Sequence, residues 1–273
     1  MFIVADIGGT KIRIAKSDDL KTFGEPIIQN TPQDYPSGIE LFKSTVQDLV
    51  GIGTKLDGVA IGIAGPLSPD KRSTYLTPHL QWGGRTLADD MESALSAKVH
   101  LENDVALVGL GEAVVGPGAS ASIVAYITVS TGVNGVRIVD QKIDRSAEGF
   151  EIGGQFMSVE EPILTLEDMV SGTAVEKTFG MKPRDIGKDN PVWEELAQIL
   201  AYGVHNTIVH WSPNRVILGG SMFNEVGISV ASVEKHVKEV MKKFPIVPEI
   251  VHSGLGDVGG LHGGLELLRQ SHS

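Results

Sequence analysis

The sequence predicts an α/β fold, and three observations carry that reading. Apolar runs with strand character alternate with stretches of helical periodicity along the chain. A strand, Gly/Thr turn, strand plan at IVADIGGTKIRIA recurs roughly 120 residues later as ITVSTGVNGVRIV, which suggests a duplicated unit. The 33 glycines sit in small clusters at the ends of apolar runs, as tight turns between packed elements require.

Phe2 to Ala5 are apolar, Gly8-Gly9-Thr10 make a turn, and Lys11-Ile12-Arg13-Ile14 alternate as a half-buried strand does. Ile39, Phe42, Val46, Leu49 and Val50 share one helical face, Gly58 to Ala64 read as a buried strand, and Leu87, Met91 and Leu95 mark another helix. A strand ending at Leu101 runs through Glu102-Asn103-Asp104 into a stripe of Ala106, Leu107, Leu110, Ala113 and Val114. Ala125 to Val129 and Val133 to Val139 are strands around Ser130-Thr131-Gly132, and the chain is then irregular to about Pro162. A long helix follows, capped by Asp189 or Asn190, with Pro191 in its first turn and Trp193, Leu196, Ala197, Leu200, Val204 and Ile208 inward. Asn214 to Leu218 form a strand closed by Gly219-Gly220, and helices near Val233 to Phe244 and Leu261 to Leu268 finish the chain.

Composition narrows the classes of function. The 273 residues, 41% hydrophobic and 21% charged, suit a globular protein of one large domain or two moderate lobes. With no Cys, there is no disulfide framework, thiolate zinc site or cysteine nucleophile. The net charge of -11 argues against a nucleic-acid or anionic-membrane surface, yet backbone N–H groups and a magnesium ion bind phosphates without one. The opening MFIVADIGG has an early Asp6 and no basic region, so it reads as a first strand and not a signal peptide. No apolar run is long enough to span a membrane, and a cytoplasmic enzyme is the expectation.

Three motifs carry chemistry. In Asp6-Ile7-Gly8-Gly9-Thr10-Lys11 the glycines let backbone amides approach an anion, Thr10 adds a hydroxyl, and Asp6 can hold a magnesium-bound water. The same residues equally describe an ordinary hairpin turn. Asp104 at a helix start reads alone as an N-cap, although the strand end and helix dipole also suit an ionised base. With an ordinary pKa it is a weak base, which a loose phosphoryl-transfer transition state tolerates. Val216 to Ser221 leaves a strand on two glycines, a surface for a purine or merely a turn. Gly254-Leu255-Gly256-Asp257-Val258-Gly259 matches a dinucleotide fingerprint, but too little chain follows it for a βαβ unit. A Walker A sequence is missing, and the eight His residues lack metal-ligand spacing.

Taken in order, DIGGTKIRIA, VAIGIAGPL, TPHLQW, LENDVALVGLGEAVVG, ITVSTGVNGVRI, FEIGG, LEDMVSGTAV and NRVILGGSMF resemble the ROK family of repressors and sugar kinases, within the hexokinase/actin-like superfamily. The resemblance implies a two-lobed actin-like (ribonuclease H-like) ATPase fold with an interlobe cleft. Its N-terminal lobe would be 1–115, its C-terminal lobe 116–258, with a last helix at 259–273 packing back on the first. It implies ATP-dependent, magnesium-dependent phosphorylation of a hexose or amino sugar, and a homodimer as partner state. Gly8, Gly9, Thr10 and Lys11 would form the first phosphate loop, with Asp6 beside the magnesium. Thr131 and Gly132 would form the second, and Gly219 and Gly220 would line the adenosine site. Asn103 would bond a sugar hydroxyl while Asp104 takes the proton from the attacking one. Gly65 would border the sugar pocket, and Glu151 and Glu167 would accept from sugar hydroxyls.

The chain departs from the family where zinc would bind. Gly154 stands at the usual His, the Cys cluster is absent, and 13 positions separate Gly154 from Glu167, fewer than a zinc loop needs. No zinc is expected, and glucose specificity does not carry over. His79 replaces an Asn, and Ser130 and Asn134 replace glycines of the second loop. With the phosphate-loop strand starting at Phe2, a DNA-binding domain like that of the repressors is not expected. The rival readings are a catalytically weak sugar-binding or regulatory protein of the same fold, and a kinase using another donor such as polyphosphate.

Overall fold

Two five-stranded sheets organise the computed structural model, which describes residues 1–77, 80–224 and 227–272. The chain runs β1 (Phe2–Ile7), β2 (Lys11–Ser17), β3 (Ile27–Asn30), α1 (Tyr35–Val50), β4 (Gly58–Ile63), α2 (Leu87–Leu95), β5 (Val99–Asn103) and α3 (Asp104–Val114). It continues through β6 (Ile123–Val129), β7 (Val133–Val139), β8 (Lys142–Ile143), α4 (Leu166–Val170), α5 (Gly172–Phe179) and α6 (Val192–Trp211). It closes with β9 (Arg215–Gly219), α7 (Val230–Val240), β10 (Glu249–His252) and α8 (Gly259–Ser271).

The sheets repeat one plan. The first has order β3-β2-β1-β4-β5 and the second, read from its other edge, β8-β7-β6-β9-β10. In both, an antiparallel hairpin (β1 with β2, β6 with β7) is extended by parallel strands. The duplication seen in the sequence is therefore a duplication of topology, with the two Gly/Thr turns at equivalent places. One unit comprises Met1–Val114, Arg145–Gly149 and the chain from Asp257, the other Val115–Asp144 and Phe150–Gly256.

In the first unit β1 and β4 are buried on both faces. Ile3, Ile7, Ile61 and Ile63 pack with Phe42, Trp82, Leu87 and Met91, while Val4 and Ala60 pack with Leu261, Leu265 and Leu268 of α8. Helix α8 lies hard against α3 because glycines permit it. A Cβ on Gly263 would sit 1.8 Å from the Leu107 carbonyl oxygen, and one on Gly111 2.5 Å from that of Gly259. In the second unit Ile127, Val129, Val216 and Leu218 pack with Leu166, Val170, Leu196, Leu200, Val204, Val233 and Val237.

Several elements escaped the sequence pattern. Strands β3, β8 and β10 and helices α4 and α5 are too short for periodicity to show. Helix α7 ends at Val240, four residues before the Phe244 expected, as Met241 turns extended ahead of Pro245. The cap position of the long helix α6 is Pro191, not the Asp189 or Asn190 expected, and it makes no side-chain cap bond; Asn190 Oδ1, one residue further out, accepts from Val192 N–H at 3.0 Å. The G-x-G-x-x-G segment is the 3₁₀ turn Gly256–Val258 leading into α8.

The close α3–α8 packing gives a test. Gly263→Ala is predicted to cost about 3 kcal/mol or more, because backbone and not a flexible side chain must give way. Urea unfolding measures it, and an unchanged midpoint would show that α8 is free to shift away.

Candidate active site

The turn between β1 and β2 is tied by its carbonyl oxygens. Gly8 N–H donates to Lys11 O at 2.9 Å, Thr31 N–H to Thr10 O at 3.0 Å, and Thr31 Oγ1 to Gly8 O at 2.8 Å. Gln33 Nε2 reaches Gly9 O at 3.4 Å, and Lys11 Nζ donates to Asn30 Oδ1 at 2.7 Å. What remains without a partner among the described residues is the N–H of Gly9 and of Thr10. A turn whose acceptors are spent and whose donors are open suits an anion.

At the end of β5 the sequence's two candidate roles for Asp104 separate. The residue that caps α3 is Asn103, whose Oδ1 accepts from Ala106 N–H at 3.1 Å while its Nδ2 donates to Gly65 O at 3.2 Å. Asp104 is then the first helical residue, with one carboxylate oxygen accepting only the adjacent Val105 N–H at 2.9 Å. Among the described residues no cation pairs with it. Burial pushes its pKa above the ordinary carboxylate range, against backbone N–H groups that pull it down. The ordinary acidity expected from sequence is corrected: Asp104 is a stronger base than an exposed Asp.

Asp6, at the end of β1, lies in the field of Asp104. Burial, then the Asp104 carboxylate, raise its pKa from the usual 3.8 to about 7; Arg13 opposes them, and Asp257 adds to the rise. Arg13 stands 3.6 Å from Asp6 and 3.1 Å from Asp257. A small hard cation favours such carboxylate oxygens and keeps several waters. Among the described residues no group of three His, Cys, Asp or Glu could hold a metal ion. The described residues hold no complete set of protein ligands, so a magnesium ion at Asp6 would need its other ligands from phosphate oxygens and water.

The turn between β6 and β7 follows the first. Ser130 O accepts from Gly172 N–H at 2.7 Å, and Thr131 O from Thr173 N–H at 3.2 Å and Thr173 Oγ1 at 2.7 Å. Glu167 Oε2 accepts from Val133 N–H at 2.7 Å, so this carboxylate braces the turn. Among the described residues the Thr131 and Gly132 N–H groups have no partner. Gly220, at φ 98°, has no room for a side chain, since a Cβ would lie 2.3 Å from Val129 O; Gly219 is similarly walled by the Tyr126 hydroxyl at 2.7 Å. Three residues past Gly220 opens a groove of about 670 Å³ lined by Phe223, Asn224, Ser229, Asn190 and His252. Glu151 is exposed beside the 3₁₀ turn Ile152–Gly154, and Phe156 bridges to Thr165 across the short connection to Glu167. His79 lies outside the described residues.

Motif reading missed four residues here. Glu102 is buried, its Oε1 accepting from Asn103 N–H at 2.9 Å and its Oε2 bonded by Lys71 Nζ. Arg13, Thr31 and Thr173 also touch candidate residues. Glu102 alone left a signal, as a carboxylate within a short strand, beside the Asn103-Asp104 motif.

The sheets and the two tied turns define an actin-like ATPase fold. The ROK family matches residues 2–271, and the chain belongs to that family. It is 27% identical over 230 residues to a fructokinase from Pediococcus pentosaceus, covering 78% of this chain and 80% of that one. A ROK family glucokinase from Streptomyces griseus, solved with glucose and AMPPNP, superposes with a TM-score of 0.81 at 23% identity, over 98% of this chain and 99% of that one. A ROK family transcriptional regulator, a homologue of the E. coli MLC protein, superposes with a TM-score of 0.85 at 15% identity, over 99% of this chain and 78% of that one.

The raised pKa of Asp6 ties stability to pH. A carboxyl that titrates near 7 when folded and near 3.8 when unfolded favours the fold below pH 3.8. That contribution falls away as pH rises and is gone above 7. Without divalent cations, Asp6→Asn should therefore stabilise the protein by up to ~4 kcal/mol at pH 8 and hardly at all at pH 4. Urea midpoints in EDTA at both pH values decide it; an equal gain at both would contradict the shift.

Proposed function

We propose that this chain is an ATP- and magnesium-dependent sugar kinase that phosphorylates a hydroxyl of a hexose or amino sugar, with Asp104 as the base. The observation that supports it most is the state of Asp104: half-buried, unpaired with any described cation, relieved of capping by Asn103, and within the field of Asp6. The fructokinase and glucokinase relatives supply the reaction class.

In this reading the chain's groups act mainly by orientation. Asn103 has one amide hydrogen on Gly65 O and a second for a sugar hydroxyl. Asp104 accepts the proton of the attacking hydroxyl, late in a loose transition state, and its raised pKa favours that transfer. Glu151 accepts from sugar hydroxyls, as does the Glu167 oxygen not bound to Val133. The open amides of Gly9 and Thr10 in the first unit, and separately those of Thr131 and Gly132 in the second, suit phosphate oxygens, and Gly219-Gly220 with the groove beyond suit the nucleoside. Magnesium, when bound with ATP, offsets charge on the transferring phosphoryl group. Asp6 would hold the ion through water, and the ion's charge would in turn favour the ionised form of Asp6.

A second reading, a sugar-binding regulator that has lost turnover, draws on the likeness to the transcriptional regulator. A panel of hexoses and amino sugars with Mg-ATP separates the two, with polyphosphate as a parallel donor. Sugar-dependent consumption of ATP supports the kinase; sugar binding with no turnover from either donor supports the regulator. Asp104→Ala should keep the fold and AMPPNP binding while lowering turnover by roughly 10²- to 10⁴-fold. Retained turnover would place the base elsewhere.

A further inference from the structure

Two threonines outside the phosphate-loop motifs stand in the same relation to the two turns. Thr31 gives its N–H to Thr10 O and its hydroxyl to Gly8 O, at 3.0 and 2.8 Å. Thr173 gives both its N–H and its hydroxyl to Thr131 O, at 3.2 and 2.7 Å. Each lies on a segment that does not belong to its turn: Thr31 just past β3, and Thr173 in the first turn of α5. Glycine makes the second contact possible. A Cβ on Gly172 would stand 2.9 Å from Ser130 O, the acceptor of the Gly172 N–H.

A peptide unit has a donor and an acceptor on opposite sides. Bonding the carbonyl oxygens of a short turn from behind therefore fixes the direction of the amides in front. We propose that Thr31 and Thr173 are paired positioning residues, each anchoring the carbonyl side of one turn so that its open N–H groups converge on nucleotide phosphate. This rests on the reading of the turns as phosphate loops. Neither threonine touches the nucleotide in this account. Thr31 is buried at 6% exposure, and its hydroxyl is spent on Gly8 O.

Thr→Val keeps the shape and the backbone N–H bond and removes only the hydroxyl bond. The test is calorimetric titration of the full-length protein, Thr31→Val, Thr173→Val and both serine counterparts, with two probes. Mg-AMPPNP carries the phosphates; adenosine lacks them. Each valine variant should bind Mg-AMPPNP roughly fivefold more weakly, the worth of one neutral hydrogen bond, and bind adenosine as the wild type does. Thr31→Ser and Thr173→Ser should restore the wild-type value. Gly172→Ala, which drives Ser130 away, should weaken Mg-AMPPNP further than Thr173→Val. Wild-type Mg-AMPPNP affinity in both valine variants overturns the inference while leaving the kinase reading intact. Equal losses for Mg-AMPPNP and adenosine also overturn it, since a general loosening of the fold would do that. Selective phosphate loss in a protein that phosphorylates no sugar supports the inference and sinks the kinase reading.

Discussion

Everything at the candidate site depends on how Asn103 is held. Its side chain closes the first turn of α3 at one end and binds Gly65 O at the other, and its own N–H is taken by buried Glu102. A helix N-terminus needs one acceptor of this kind, worth about 1 kcal/mol. Because Asn103 supplies it, the carboxylate one position later gives the helix only one oxygen, to the Val105 N–H. Among the described residues the half-buried Asp104 carboxyl has no counter-ion, and burial makes its ionised form costly. The glycine contacts between α3 and α8 hold the helix that carries it.

Under the proposed function the two turns would solve a second problem, how a protein of net charge -11 could bind a polyanion. Long-range charge works against it, so attraction must come from short-range donors. In both turns the acceptors are bonded backward and the amides left open, and the surrounding acidic field is offset locally, at Asp6 by Arg13. The Asp104 carboxylate disfavours ionisation of Asp6, a penalty that a divalent ion would offset under the proposed function. Stability is given up where chemistry needs charge.

The sequence showed the architecture well where elements are long. Alternation in β1 and β2, the stripe of α3 and the repeated Gly/Thr turn all act over many residues, and packing preserved them. It failed for α4 and α5, five and eight residues long, whose sense lies in the turn they brace. At the candidate site, familiar motifs pointed to the proposed residues, and the groups that hold those residues left no such mark. Thr31, Thr173 and Lys71 lie in loops or at helix starts, and only contacts distant in sequence give them meaning. The capping question at Asn103-Asp104 could not be settled from sequence, since both residue types cap helices and side-chain direction decides between them.

The central claim is that a sugar hydroxyl meets Asp104. A crystal structure of the protein with Mg-AMPPNP and the sugar that stimulates turnover tests it most directly. The account predicts one sugar hydroxyl within roughly 2.6–3.2 Å of the Asp104 carboxylate, with Asn103 still capping α3. A sugar bound away from Asp104, or a carboxylate turned onto the α3 amides in place of Asn103, would contradict it.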